Sequence, residues 1–279
     1  MSSYRPAIPE AVKREVRQQS KFGCVICGMP FYEYEHIEEY SKEKQHTSDN
    51  IILLCPNHHS SKTTKKLSKE RLNYLKQNPY NLGKNFSNIY KLEPATTINI
   101  KLGSNTCSWT LKDNPEHYIL WINGVSYFSL YNEDNWLTFS LNITDNLGKE
   151  VLKVHKGEIQ ISTDIFDFTY EGQTIIIKEK LNETIILKMK LADNTVEIQK
   201  GIIMDNSGDG FIISNQNLKL IIDQNSVATL GGCYWGNNYT GAIGLLNTKK
   251  RPVLTPPKGF GLIYQPESRH PSDEQFGIF

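Results

Sequence analysis

Four side chains suited to binding zinc stand in two short pairs in the N-terminal part of the chain. Cys24 and Cys27 are separated by two residues, and the same spacing recurs between Cys55 and His58. Zinc prefers four tetrahedral thiolate or imidazole ligands, and two intervening residues allow a tight turn that aims both ligands at one ion. We therefore expect a structural Zn²⁺ site whose binding energy helps to fold a segment with little core.

A second group of residues lies between and just after these pairs. Glu35 and His36 end a predicted strand, Asn50 follows His36 by fourteen positions, and His59 comes directly after the second pair. Over residues 5–80 this order resembles the HNH endonuclease family, which has the ββα-metal fold. The second pair ends in a histidine where many members have cysteine, which leaves open an exchange of roles between His58 and His59.

The resemblance implies hydrolysis of DNA phosphodiester bonds with one divalent ion. A histidine titrating near neutral pH can take a proton from water, so His36 is the expected general base. Glu35 and His59 would hold the catalytic ion, and an oxygen and a nitrogen ligand suit Mg²⁺, Mn²⁺ or Ni²⁺. In the family the asparagine orients the base through a backbone contact, and this role passes to Asn50.

Basic side chains flank these residues. Lys62, Lys65 and Lys66 follow His59, and Arg14 and Arg17 lie in the N-terminal segment. We expect them to contact DNA phosphates, with a solvated basic face as the alternative. His46 lies four positions before Asn50 and is interpreted as a surface histidine or as a contact to phosphate or metal.

The charge is divided unevenly along the chain. Residues 1–90 contain 14 Lys and Arg against 9 Asp and Glu, whereas the remainder contains 17 against 21. A basic front suits a polyanionic partner such as DNA. The odd cysteine count, the absence of a long apolar run and the polar N-terminus predict a cytoplasmic protein with no membrane span and no disulfide framework.

The elements that must position these residues are short. Helices are predicted over 9–20 and 68–78, with Ser68 as the N-cap of the second. Strands are predicted over 31–37 and 51–54. Residues 79–95 contain proline, glycine and asparagine without a period, which places a domain boundary near residue 90.

Residues 91–279 predict an all-β domain with a proline-rich C-terminal tail. Short β-branched or aromatic segments alternate there with Asn, Asp and Gly turns. The predicted strands cover 118–122, 137–143, 159–162, 174–177, 185–189, 196–198, 211–213 and 218–222. The texture fits either a β-solenoid or an antiparallel sandwich or barrel.

These patterns predict an α+β chain in which an HNH nuclease domain precedes a β-domain that recognises a target, a protein partner or a second copy. The resemblance implies a prokaryotic restriction, defence or mobile-element setting. One alternative is a non-catalytic zinc module that only grips nucleic acid, as an adaptor. Another places an enzyme acting on carbohydrate in the β-domain, although no paired carboxylate signature supports it.

Overall fold

Helices lie near the N-terminus and strands dominate the remainder in the computed structural model, which describes residues 6–64, 66–110, 116–179 and 183–266. The helices are α1 (Glu10–Gln19), α2 (Tyr40–Glu43), α3 (Pro56–Thr63) and α4 (Lys69–Gln77), and a 3-10 turn covers Ser48–Asn50. The α+β class is confirmed. The predicted helices over 9–20 and 68–78 are α1 and α4, and the Ser68 hydroxyl caps α4 by accepting a hydrogen bond from the Arg71 backbone N–H.

The strands are short, and their bounds follow the apolar segments of the sequence. They are β1 (Glu33–His36), β2 (Ile51–Leu54), β3 (Tyr90–Lys91), β4 (Thr97–Leu102), β5 (Asn105–Thr110), β6 (Glu116–Ile122), β7 (Val125–Glu133), β8 (Trp136–Thr144), β9 (Glu150–His155), β10 (Glu158–Ile161), β11 (Asp167–Glu171), β12 (Thr174–Lys178), β13 (Ile185–Ala192), β14 (Thr195–Met204), β15 (Gly210–Ile213), β16 (Leu218–Ile222), β17 (Asn225–Leu230), β18 (Tyr234–Trp235), β19 (Gly241–Leu245) and β20 (Phe260–Tyr264). All ten predicted strands are present.

The N-terminal segment contains the expected two strands and a helix. Strand β1 pairs antiparallel with β2, with Glu35 opposite Ile52 and His36 opposite Ile51. Helix α3 begins immediately after β2, where Pro56 stands in the first turn, a position that needs no backbone donor. The apolar pattern did not predict α3, because its sequence PNHHSSKT has no apolar stripe.

A small core lies beneath these elements. It contains two of the expected zinc ligands together with aliphatic side chains from β2 and α4. Its buried members are Cys24, Val25, Ile37, Ile52, Leu54, Cys55, Leu72 and Leu75. Helix α4 therefore completes the core that the first strand pair and α3 are too small to form.

The residues group into two units, and neither is continuous in sequence. The first contains Met1–Leu92, Glu150–Val154 and Glu158–Leu191, and the second contains Glu93–Lys149, His155–Gly157 and Ala192–Phe279. The sequence predicted a single break near residue 90. The first unit also includes two segments from the middle of the chain.

Within the first unit, β11, β12 and β13 follow each other as antiparallel neighbours, and β10 pairs antiparallel with β3. Within the second, β6, β7 and β8 form one antiparallel meander, and β14 to β17 form another. Consecutive antiparallel pairing is the pattern of sandwiches and barrels, whereas a solenoid stacks parallel coils. It therefore favours the antiparallel alternative.

None of the helices in the described residues is long and apolar enough to cross a membrane. The predicted proline-rich tail is described only as far as residue 266, and it contains β20. The rest of that tail lies outside the described residues.

Candidate metal centre and active site

The four expected zinc ligands come together. Their ligand atoms all lie within 4.8 Å of one another. The His58 Nδ1 atom is 3.4 Å from Cys24 Sγ and 3.3 Å from Cys55 Sγ, and Cys27 Sγ is 3.7 Å from Cys55 Sγ. A tetrahedral ion with bonds of about 2.0–2.3 Å separates its ligands by roughly 3.4–3.8 Å. The cluster therefore fits a zinc site.

Backbone turns aim these ligands at one point. Cys24 and Cys27 flank a turn that Gly28 closes by donating its N–H to the Cys24 carbonyl oxygen at 2.7 Å. Gly28 has a φ of +75°, and a Cβ there would lie 2.2 Å from Asn81 Oδ1. Only glycine fits, because the left-handed conformation and the close approach both exclude a side chain.

The segment after α4 braces the turn. Asn81 is buried and donates through Nδ2 to the Gly28 carbonyl oxygen at 3.2 Å, and Asn88 Nδ2 donates to the Cys27 carbonyl oxygen at 2.9 Å. Two residues of the segment 79–95, which was predicted as a boundary, thus hold the cysteine pair in place. A hydrogen bond from Cys27 lowers the pKa of Cys24 to about 5, and the same contact raises the pKa of Cys27.

A second, more open group forms on the other side of α3. The His59 Nε2 atom lies 2.7 Å from Glu35 Oε2, and Lys62 Nζ donates to Glu35 Oε1 at 2.6 Å. His59 and Lys62 share one helix face because they are three residues apart. Glu33, two residues before Glu35 and on the same face of β1, places Oε2 3.8 Å from His59 Nδ1.

The donor set of this group differs from that of the cysteine cluster. Glu35 offers a carboxylate oxygen and His59 an imidazole nitrogen, and these two atoms are directed at each other. Two such donors leave most of the coordination shell to water and substrate oxygens, which is how Mg²⁺ is usually bound. The residues present therefore fit a divalent ion of the kind that the resemblance implies.

His36 lies on the opposite face of β1 from Glu35, since neighbouring side chains of a strand alternate. Its side chain is buried, with 3% of the residue exposed. The His36 Nε2 atom is 3.1 Å from His46 Nδ1, and the two ring centroids are 5.1 Å apart. His36 thus pairs with His46 on the face of β1 opposite to Glu35.

Asn50 binds the backbone that follows His36. Its Oδ1 accepts a hydrogen bond from the Glu38 N–H at 2.7 Å, and its Nδ2 donates to the Glu38 carbonyl oxygen at 3.0 Å. The Ile37 N–H donates to the Asn50 carbonyl oxygen at 2.8 Å. Asn50 therefore holds the end of β1 and the start of the next loop through bonds to the backbone.

The two adjacent histidines point in different directions. Successive residues of an α-helix are rotated by about 100°. On α3 this rotation sends His58 towards Cys24 and Cys55 and sends His59 towards Glu35. His58 therefore lies with the cysteines and His59 lies beside Glu35, which is the arrangement expected without an exchange of roles.

The two arginines expected to meet phosphate are engaged elsewhere. Arg17 is fully buried and donates to Asp167 through Nε at 2.7 Å and to Tyr34 Oη at 2.6 Å. Burial lowers the pKa of Arg17, but its contacts with Asp167, Tyr34 and Glu10 together outweigh burial and hold the pKa above its usual value. Arg14 makes two hydrogen bonds to the Glu183 carboxylate, at 2.7 and 2.9 Å. These placements are at odds with phosphate contact, and a buried arginine cannot reach it without unfolding.

The lysines differ from one another. Lys62 is mostly buried by its ion pair with Glu35, whereas Lys66 is exposed. Lys65, the third residue of this set, lies outside the described residues.

The family model for HNH endonuclease matches residues 24–65. That segment contains the cysteine cluster and the Glu35–His59 pair, and the match supports a nuclease-type activity on nucleic acid. No curated protein and no solved structure matches the chain.

Glu33 and Asp167 contribute to the site and were not predicted, and neither was the partner of His46. Glu33 could have been found from the two-residue period of β1, which puts it beside Glu35. His46 was considered without its partner, because nothing in the local pattern shows which residue a loop histidine meets. Asp167, which holds Arg17, lies 150 positions away in the chain and has no signal in the sequence.

Proposed function

We propose that this protein is a metal-dependent endonuclease that hydrolyses DNA phosphodiester bonds, by nicking or double-strand cutting. The observation that carries the proposal is the Glu35–His59 pair at 2.7 Å, one residue along β1 from a buried histidine. A domain that only grips nucleic acid has no need for an open metal-binding pair beside a candidate base.

His36 is the proposed general base. It removes a proton from the water that attacks phosphorus, and an imidazole is suited to this because its ordinary pKa is close to neutral. Asn50 is a positioning residue, since its two bonds to the Glu38 backbone hold the chain directly after the base.

Glu35 and His59 would hold the catalytic ion, which could be Mg²⁺, Mn²⁺ or Ni²⁺. Such an ion, when bound, polarises the phosphate and stabilises the charge on the leaving oxygen. Glu33 Oε2, 3.8 Å from His59 Nδ1, would orient His59 only after moving to hydrogen-bond distance, as a carboxylate often does for a metal-binding histidine. Lys66 offers an exposed charge for the DNA backbone, and Lys62 would contact phosphate only on leaving Glu35.

Further parts of the proposal rest on the resemblance and on the chain organisation. We propose that the β-rich remainder after residue 90 recognises a target, a protein partner or a second copy of the chain. A cytoplasmic location and a prokaryotic restriction, defence or mobile-element setting are proposed with it.

The Lys62–Glu35 ion pair favours one alternative. An ammonium group already neutralises Glu35, with Nζ 2.6 Å from Oε1, so the protein could be a zinc-dependent adaptor that binds nucleic acid without cutting it. In that case the ion pair would be a structural feature of the DNA-binding face.

Plasmid cleavage separates the two functions. Purified protein is incubated with supercoiled plasmid and Mg²⁺, Mn²⁺, Ni²⁺ or EDTA, alongside His36→Ala and, as a matched control, the exposed His155→Ala. We expect ion-dependent nicking that His155→Ala retains and His36→Ala loses by about 10²–10⁴-fold, the usual contribution of a general base. Undiminished cutting by His36→Ala would refute the role of His36. DNA binding without cutting by the wild type in any ion would favour the adaptor.

A further inference from the structure

His46 connects the buried His36 to the N-terminal segment. It lies between α2 and the 3-10 turn, with Nδ1 3.1 Å from His36 Nε2 and Nε2 2.9 Å from the carbonyl oxygen of Pro6. The ring of Tyr40 stacks on it, with centroids 4.5 Å apart and an interplanar angle of 22°. Contacts on both ring nitrogens and one ring face hold His46 in a single orientation.

The proton positions in the hydrogen-bonded series His36–His46–Pro6 follow from the Pro6 carbonyl oxygen, because it is the one group of the series that can only accept. The Pro6 carbonyl oxygen has no proton, so His46 Nε2 must be the donor to it. A neutral His46 then carries no proton on Nδ1, which becomes an acceptor. The His36 Nε2 atom must therefore carry the proton that lies between the two rings, and the basic nitrogen of a neutral His36 is Nδ1.

We propose that His46 is a positioning residue for the general base, which sets the orientation and the tautomer of His36. This inference rests on the proposed role of His36. The 3.1 Å contact with His46 Nδ1 fixes the ring of His36 and keeps Nε2 as its protonated nitrogen, so Nδ1 is the nitrogen proposed to take the proton from water.

Tyr40 restricts the orientations that the rings of His36 and His46 can adopt. Its ring lies 5.9 Å from that of His36 at an angle of 73° and also covers His46, so one aromatic side chain packs against both histidines. A base held in this way loses little rotational freedom when it reacts, which is the benefit of placing catalytic groups in advance. The same arrangement shows why His46 can act through His36 rather than on the substrate.

Two substitutions at His46 distinguish the effect of its hydrogen-bond acceptor from the effect of its side-chain volume. His46→Ala removes Nδ1, whereas His46→Asn retains an acceptor, because its Oδ1 lies close to where Nδ1 stood. His155→Ala serves as the exposed control. The readouts are the single-turnover rate of plasmid nicking at saturating Mg²⁺, the Kd for the same plasmid, the melting temperature and the zinc content.

We expect His46→Ala to lower the nicking rate by about 10- to 100-fold, as losing an orienting partner of a functional histidine does, with an unchanged Kd and zinc content. His46→Asn should recover most of the rate. Wild-type nicking by His46→Ala would overturn the inference, and so would a His46→Asn variant that stays as slow as His46→Ala although both retain the wild-type melting temperature.

A second measurement does not depend on activity. Long-range ¹H–¹⁵N spectra of ¹⁵N-histidine-labelled full-length protein report which ring nitrogen of His36 carries the proton. We expect the Nε2–H form in the wild type and in His46→Asn, and a mixture of forms in His46→Ala. An Nδ1–H form in the wild type would overturn the inference even in an active nuclease. The expected spectra from a protein that cuts no DNA would support the pairing and refute the proposed function instead.

Discussion

The cysteine cluster and the Glu35–His59 pair each take one histidine from α3 but are built differently. The cysteine cluster has four ligands within 4.8 Å of one another, and Cys24 and Cys55 lie in the hydrophobic core. The second group has two donors, Glu35 and His59, and His59 is about a third exposed. Structural zinc sites are closed and catalytic sites keep open positions. The contrast shows that two adjacent histidines can belong to different kinds of site, because successive residues of a helix point in different directions.

The largest effect is expected from the closed cluster. Cys55→Ser should lose zinc and expose the N-terminal domain to proteolysis, because the binding energy of a structural zinc, about 10–16 kcal/mol, also folds the domain. Elemental analysis and limited proteolysis measure both outcomes. Cys233→Ser, outside the cluster, should change neither. Finding no zinc in freshly purified wild-type protein would remove the distinction between the two groups.

The neighbouring histidines test the contrast most directly. His58→Ala removes a ligand of the closed cluster, so zinc content and melting temperature should both fall. His59→Ala should keep both values, lose at least roughly 10-fold in cleavage and need more divalent ion to recover any activity, since a direct ligand matters at least as much as an outer partner. Should His59→Ala lose zinc and melt early while His58→Ala stays folded, the two roles are exchanged.

A buried ion pair tests whether the zinc cluster alone holds the first unit together. Arg17→Ala removes the closer of the two arginines that pair with the buried Asp167, and Arg14 Nε, 3.5 Å from Oδ2, compensates its charge only in part. Breaking a buried pair typically costs up to about 3–5 kcal/mol. Urea unfolding measures the change. Lys13→Ala removes a more exposed pair with Glu171 and should cost about 1 kcal/mol or less. Equal stability of the two variants would mean that Arg17 contributes no more than a surface pair.

The smallest effect is expected at the basic surface beside the open group. Each phosphate contact contributes about 0.9 to the slope of log affinity against log salt. Lys66→Ala should therefore reduce that slope by up to about one, whereas Lys101→Ala, an exposed lysine of the second unit, should leave it unchanged. Filter-binding titrations over a range of salt concentrations give both slopes. A slope unaffected by Lys66→Ala would separate the basic face from DNA binding.

Most of the local structure was predictable because its causes are local. The apolar periods located β1, β2, α1 and α4, and the paired spacing of Cys24, Cys27, Cys55 and His58 predicted the cluster. Helix α3 was missed because a helix with no apolar stripe leaves no periodic signal. The short β-branched segments located the strands of the remainder but left two architectures open.

Spacing in the sequence thus determined which residue types meet one ion, since two intervening residues constrain the chain wherever it folds. Only the tertiary structure decided the partners of residues far apart in the chain. It buried Arg17 against Asp167, 150 positions away. Arg17 therefore has a structural role, although its position in the sequence predicted a contact to phosphate. The tertiary structure also set His46 against His36 and Pro6. The physical reason is that a side chain is buried, and its charge paired, by whatever surface packs against it, and that surface comes from elsewhere in the chain.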